Sequence, residues 1–403
     1  MAVVSAPRPV ELCDEEVVFL MDNPAASMRF MPARAFDAAL RLSAAGAEST
    51  QRATGATGVA FKPVRFSGFD GEWVYDSSCV VPEDEASETS VPVPDPLSEK
   101  YSELFRSRRY GGGAARGAEG TEGKAEEGEQ HEVHKCALLY LHGGAYHVGS
   151  TRTHRLVTAP MARRGVRFGL RILCINYRMA PIHKYPAAVE DAVEALAFLH
   201  GHFAPSRIAV MGDSAGGGLA FATCLRAFEL GVPGPAALVA LSPWTDLTIS
   251  GSSIETNAGT DLMFSPHLTF WNRAFFGACQ PCMAPANTMQ GGWIRHQFTQ
   301  VAMSYAGKRR TESTASPLLA DVETLKRAMP PVHIIVSNSE VLLSDSIRMY
   351  DKLKRAGVPA TIERYDNQPH VFPILNHRDG SPGARALDTS TEHIDQCLNH
   401  NNK

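Results

Sequence analysis

The sequence predicts an α/β protein with a mostly parallel central sheet and helices on both of its faces. Three observations predict it. Continuous apolar runs of strand length recur between turn residues, stretches of helical period alternate with them, and a Gly-x-Ser-x-Gly string falls where one such run meets a helix. Runs that are apolar on both faces belong to sheets buried on both sides. Strands that alternate with helices are joined by crossovers and so lie parallel.

Residues 1–76 mix short helical patterns (Phe36, Leu40, Leu42) with stretches of strand character, Val59 to Phe66 and Trp73 to Tyr75. From 77 to 135 the character changes. Residues 82–96 are rich in proline and acid, and 111–130 read GGGAARGAEGTEGKAEEGEQ, almost without apolar side chains. Such a run buries too little surface to offset its ordering entropy, so a disordered insertion is expected there. Deleting about residues 80–130 behind a short linker should therefore leave melting temperature and activity unchanged. A large drop in melting temperature would show that the segment packs on the domain.

Residues 136–403 carry the regular pattern. CALLYLH (136–142), GLRILCINYR (169–178), RIAVMGDS (207–214), AALVALSPW (236–244), VHIIVSN (332–338) and ATIERYD (360–366) read as strands. Between them, residues 187–203 set Val189, Val193, Leu196, Ala197 and Leu199 on one helical face. The helix after Ser214 should close at Gly231, and DSIRMYDKLKRAG (345–357) is another helix.

Composition narrows the function classes. A chain of 403 residues with 44% hydrophobic and 20% charged content can build a sizeable core. A net charge of −4 with both signs interspersed points to no nucleic-acid partner. No apolar stretch approaches the ~20 residues of a membrane span, and the first residues lack the form of a secretory signal. Eight scattered cysteines, with Cys174 and Cys224 inside apolar runs, suit a reducing, cytoplasmic setting. Cys279-Gln280-Pro281-Cys282 is a lone CxxC without two further ligands nearby, so no metal is expected.

The chemistry is carried by two glycine-rich junctions. Gly212-Asp213-Ser214-Ala215-Gly216 lies between a buried strand and a helix. A serine hydroxyl becomes a useful nucleophile when a tight turn presents it beside a base, and flanking glycines remove the side chains that would clash in that turn. His142-Gly143-Gly144-Ala145-Tyr146 follows the strand CALLYLH. Acyl transfer passes through a tetrahedral oxyanion, which backbone N–H groups stabilise when glycines let the chain come close. The oxyanion hole is expected from Gly143, Gly144, Ala145 and Ala215, with Gly143 shaping the loop and the other three donating. His142 reads as a structural histidine. The base and acid should follow in the order Ser, acid, His. His370, in NQPHVF after the strand ATIERYD, is the histidine placed to act as base. Glu340 and Asp345 both follow VHIIVSN. Glu340 is preferred, because an aspartate at a helix start is commonly a cap.

The stretches YLHGGAYHVGS, NYRMAPIHKYPAAVEDA, MGDSAGGG, LSPWTDL, SNSEVLLSDS and QPHVF run in order from about 136 to 375. In these the chain resembles the hormone-sensitive-lipase group of α/β-hydrolases, in its microbial esterase branch. The resemblance implies the α/β-hydrolase fold with a helical cap, contributed by the N-terminal residues and by about 250–312. It implies ester hydrolysis without a cofactor on a small-molecule ester, through Ser214, Glu340 and His370. It also implies that Tyr177 to Pro181 and Asp191 are supports. Oligomeric state stays open, a homodimer included. Two departures stand out: Ala145 replaces a third glycine, and Glu340 stands where aspartate is more common. The segment 275–305 is longer than usual. In the cap segment after LSPWTDL, Met263, Phe264, Phe270, Trp271, Phe275 and Phe276 suit either an acyl pocket or helix packing.

Overall fold

The structure is a computed structural model that describes residues 58–78, 136–261, 290–374 and 380–399. The expected N-terminal helices, the 79–135 part of the insertion, the aromatic group at 263–276 and the CxxC pair lie outside these residues.

Eight strands form one sheet: β1 (Val59–Arg65), β2 (Asp70–Asp76), β3 (Cys136–Leu141), β4 (Leu170–Asn176), β5 (Ile208–Asp213), β6 (Ala237–Leu241), β7 (Val332–Ser337) and β8 (Ala360–Tyr365). Their spatial order is β1-β2-β4-β3-β5-β6-β7-β8. β1 and β2 form an antiparallel hairpin, and β2 also pairs antiparallel with β4. From β4 to β8 every pairing is parallel. β3, β5, β6 and β7 are buried along their whole length, which is why they read as continuous apolar runs rather than alternating ones.

The described helices are α1 (Arg155–Gly165), α2 (Ala187–His200), α3 (Ala215–Leu230), the single turn α4 (Ser253–Thr256), α5 (Gln290–Ala306), α6 (Val322–Ala328), α7 (Leu343–Arg355) and α8 (Pro382–Asn399). The sheet separates two apolar clusters. Ala137, Leu139 and Leu141 of β3 pack with Val193 of α2, Leu219 of α3, Leu325 of α6 and Met349 of α7. Cys136, Leu138 and Tyr140 of the same strand pack on the other side with Val157 and Met161 of α1 and with Leu387 and Ile394 of α8. Helices thus cover both faces, and the two-residue period of β3 divides its side chains between them. As expected, α3 ends at Gly231, whose φ of 67° lets its N–H turn back onto the last helical carbonyls.

The polar supports lie beside this core. Asp191 of α2 is buried and accepts from the Arg178 backbone N–H (2.7 Å), while the Arg178 guanidinium grips the same carboxylate (2.6 Å). The strand order reverses at β3, between β4 and β5. A crevice opens beyond the carboxyl ends of strands at such a reversal, and both glycine-rich junctions leave those ends. None of the described helices is long and apolar enough to cross a membrane.

Candidate active site

Ser214 sits between β5 and α3 with φ 52° and ψ −119°. That region of backbone space is dominated by glycine, because a β-carbon crowds the neighbouring carbonyl there, and a serine in it costs about 1–2 kcal/mol. The turn is held by what surrounds it. The Ser214 N–H donates to Leu241 O (2.8 Å), and the Ser214 carbonyl accepts from Trp244 N (2.8 Å) and Gly218 N (3.1 Å). Gly216 packs so closely on β3 that a β-carbon would run into the Leu141 and His142 carbonyls.

The turn delivers the hydroxyl to His370, whose Nε2 lies 2.9 Å from Ser214 Oγ. His370 Nδ1 lies 3.1 Å from Glu340 Oε1. Glu340 leaves the end of β7, fully buried, and its other oxygen accepts from Ser242 Oγ (2.7 Å) and Ser337 N (3.0 Å). Both oxygens of the carboxylate are therefore committed, which fixes Nδ1 of His370 as the donor and leaves Nε2 as the acceptor facing the Ser214 hydroxyl. Burial alone would lower the His370 pKa. The hydrogen bond to Glu340 and the charges of Glu340, Asp261 and Asp213 outweigh it and hold the imidazole above its ordinary value.

Asp345, the other carboxylate weighed from sequence, lies elsewhere. It is in the first turn of α7 but does not cap it, since Leu342 occupies the N-cap position. Its Oδ2 instead accepts from Thr245 N (3.0 Å) and Asp246 N (2.9 Å), pinning the loop after β6. Burial, with the Asp246 charge adding to it, pushes its carboxyl up to about 8. A group mostly neutral at pH 7 cannot stabilise an imidazolium by its charge.

The loop after β3 brings Gly143, Gly144 and Ala145 alongside. The Gly143 N–H is taken by Asp213 Oδ1 (3.0 Å), so this residue shapes the loop and does not donate into the crevice. The N–H groups of Gly144, Ala145 and Ala215 have no acceptor among the described residues. Ala145 and Tyr146 adopt φ of 52° and 64°, left-handed backbone that costs non-glycine residues about 1 kcal/mol each. Asp213 anchors the loop from below, accepting also from Tyr140 OH (2.7 Å) and lying 3.4 Å from His154 Nε2. Burial would raise the Asp213 pKa, but the His154 charge and hydrogen bond hold it below the ordinary carboxylate value. His142 is buried, stacks on Tyr177 (4.3 Å), and is pushed down by burial to about 3. It stays neutral and serves the loop structurally.

Sequence reasoning passed over several residues that hold this arrangement. Asp261 accepts from the backbone N–H of His370 (3.2 Å) and of Val341 (2.8 Å), tying the loop after β8 to the turn after β7. Ser242, with φ 46°, donates to Glu340 while accepting from Val371 N (3.2 Å). Ser242 could have been found from its place at the end of β6. Nothing local in the sequence marks Asp261. Among the described residues, no cluster of three or more His, Cys, Asp or Glu is placed to hold a metal ion.

A family model described as alpha/beta hydrolase fold matches residues 138–290 and 283–374. An acetyl-hydrolase of Streptomyces hygroscopicus is 33% identical over 258 residues, spanning 63% of this chain and 73% of that protein. A carboxylesterase/phospholipase of Mycobacterium tuberculosis is 30% identical over 238 residues, spanning 59% of this chain and 56% of that protein. Among solved structures, an esterase from the bacterial hormone-sensitive lipase family superposes with a TM-score of 0.60 at 25% identity, covering 96% of this chain and all (100%) of that one.

Proposed function

The chain belongs to the alpha/beta hydrolase fold family, and from that membership we propose that it is a serine carboxylic-ester hydrolase working through Ser214, His370 and Glu340. The observation that carries this reading is the unbroken hydrogen-bonded relay of these three side chains beside three backbone N–H groups that have no acceptor among the described residues. Relatives named esterase and acetyl-hydrolase support the same reaction class.

In the proposed reaction, His370 Nε2 takes the Ser214 proton as Oγ attacks the ester carbonyl carbon. Glu340 stabilises the imidazolium so formed, and the carbonyl oxygen, now negative, faces the N–H groups of Gly144, Ala145 and Ala215. The imidazolium then gives its proton to the alcohol oxygen as the C–O bond breaks, leaving an acyl-serine. Water, deprotonated by His370, attacks the acyl carbon, and the proton returns to Ser214 Oγ as the carboxylic acid leaves. A fluorophosphonate probe tests the reading directly. Stoichiometric labelling of Ser214 supports it, and no labelling of the folded protein rejects it. Rates on a matched ester and anilide decide between esterase and amidase.

The substrate range expected is short-to-medium acyl esters, the acetyl-hydrolase relative supporting the short end. Each buried methylene adds about 0.8 kcal/mol of binding until the pocket is full. Beyond that length the carbonyl is displaced from its donors, and ~1 Å can cost about a hundredfold. Across chromogenic esters from acetyl to palmitoyl, kcat/KM should peak early and fall steeply. A profile still rising at palmitoyl, with activation at a lipid interface, would make the protein a lipase instead.

A further inference from the structure

Ala145 is a departure that the reaction does not explain. It stands where the loop needs left-handed backbone, and Tyr146 beside it does the same. Neither residue adopts such backbone freely, so something outside the loop must hold it. Besides the Ala180 N–H, which donates to the Tyr146 carbonyl (2.9 Å), the contacts that do so lead to one helix. His147 Nδ1 lies 2.8 Å from the Ala145 carbonyl and His147 Nε2 lies 2.9 Å from Ser304 Oγ on α5. The Tyr146 ring stacks on Tyr305, the next residue of α5, at 3.8 Å and 2° between planes. Tyr305 is in turn fixed by Tyr185, whose ring meets it edge-on at 5.9 Å and whose N–H donates to the Tyr305 carbonyl (2.9 Å).

The tautomer follows from the partners. A carbonyl only accepts, so His147 Nδ1 carries the proton, and Nε2 accepts from the Ser304 hydroxyl. Burial lowers the His147 pKa and keeps that neutral form. The held carbonyl and the N–H assigned to the oxyanion belong to the same residue, Ala145, so fixing one peptide plane restrains the next through a single α-carbon.

We infer that His147 and Ser304, with the Tyr146–Tyr305 stack, form a latch from α5 that holds the Ala145 N–H in position for the oxyanion. They are positioning residues, and the inference rests on the ester-hydrolase reading above. A latch of this kind acts on the transition state and leaves ground-state substrate binding alone, because the oxygen it serves becomes negative only as the reaction proceeds.

The test is Ser304→Ala, with Ser304→Thr as the conservative partner that keeps a hydroxyl. Ser304 is only half-buried, so the alanine variant should fold, and its melting temperature checks this. Three quantities are read: kcat and KM on a short ester, the inhibition constant of a boronic acid, and hydrogen exchange of the His147 and Val148 amides. Both amides donate to the Gly144 carbonyl and report opening of the loop. In Ser304→Ala, kcat should fall and the boronate constant should rise by about tenfold. That is well short of the roughly 10²–10³ lost when an oxyanion donor is removed outright. KM should stay within twofold, the two amides should exchange about tenfold faster, and Ser304→Thr should recover most of each change. Unchanged exchange, or kcat and boronate affinity both within twofold of the parent, overturns the latch. A parent that neither hydrolyses esters nor binds the boronate overturns the enzyme reading instead. The exchange measurement then still decides whether α5 holds the loop.

Discussion

Ser214→Ala is expected to abolish nearly all ester hydrolysis, with kcat falling on the order of 10⁴-fold or more. The hydroxyl is the only group removed. The backbone bonds that hold the turn, Ser214 N–H to Leu241 and Trp244 N–H to the Ser214 carbonyl, are untouched. The fold should therefore survive with its melting temperature within a few degrees. Residual activity would come from water activated by His370 against the remaining N–H donors, which alone retain some rate over the uncatalysed reaction. The measurement is turnover of a chromogenic acetyl or butyryl ester, alongside thermal melting of both proteins. Activity within tenfold of the parent would show that the acyl group goes elsewhere.

Glu340→Gln should rank next, far above Asp345→Asn. The Ser337 N–H can only donate, so the amide oxygen must stay on that side, and the amide nitrogen is turned toward His370 Nδ1. Two donors cannot face each other. The ring then adopts the tautomer with its proton on Nε2, where it can no longer take one from Ser214. An equivalent tautomer inversion costs on the order of 10⁴ in kcat in a serine protease. Losing the Glu340 charge also lowers the His370 pKa, because that charge favours the imidazolium. The acid limb of any residual kcat/KM profile should accordingly move to lower pH. Asp345→Asn should cost little activity. Its carboxyl is pushed up to about 8, so it is already largely protonated at pH 7, and one oxygen suffices for both backbone donors. A reversed ranking would transfer the orienting role to Asp345.

The sequence made the parallel strands legible because they are buried on both faces, and burial of that kind leaves uninterrupted apolar runs such as those at 136–141 and 208–213. α1 was not legible. It carries Pro160 and three arginines in eleven residues, which break the apolar pattern, yet most of the helix, Arg155 included, is buried. α8 was missed for a related reason, as its large buried apolar side chains, Leu387, Ile394 and Leu398, are thinly spaced and Ser390 and Thr391 are buried between them. Ser214, Glu340 and His370 could be named because each follows the end of a strand within a few residues. Asp261 could not. It works through side-chain bonds to backbone amides 80 and 109 residues away, and no local pattern records such a partnership. The part played by α5 is equally long-range, since His147 and Ser304 stand 157 residues apart.

The left-handed backbone at Ser214 also bears on how variants of this chain would fare under selection. Glycine adopts φ 52°, ψ −119° far more readily than any residue with a β-carbon. A library screened for heat resistance alone should thus enrich Ser214→Gly, a substitution that relaxes the turn and removes the hydroxyl together. Thermal robustness and the proposed turnover pull in opposite directions at this one position, and directed evolution of this protein would need an activity gate in every round to keep the Ser214 hydroxyl.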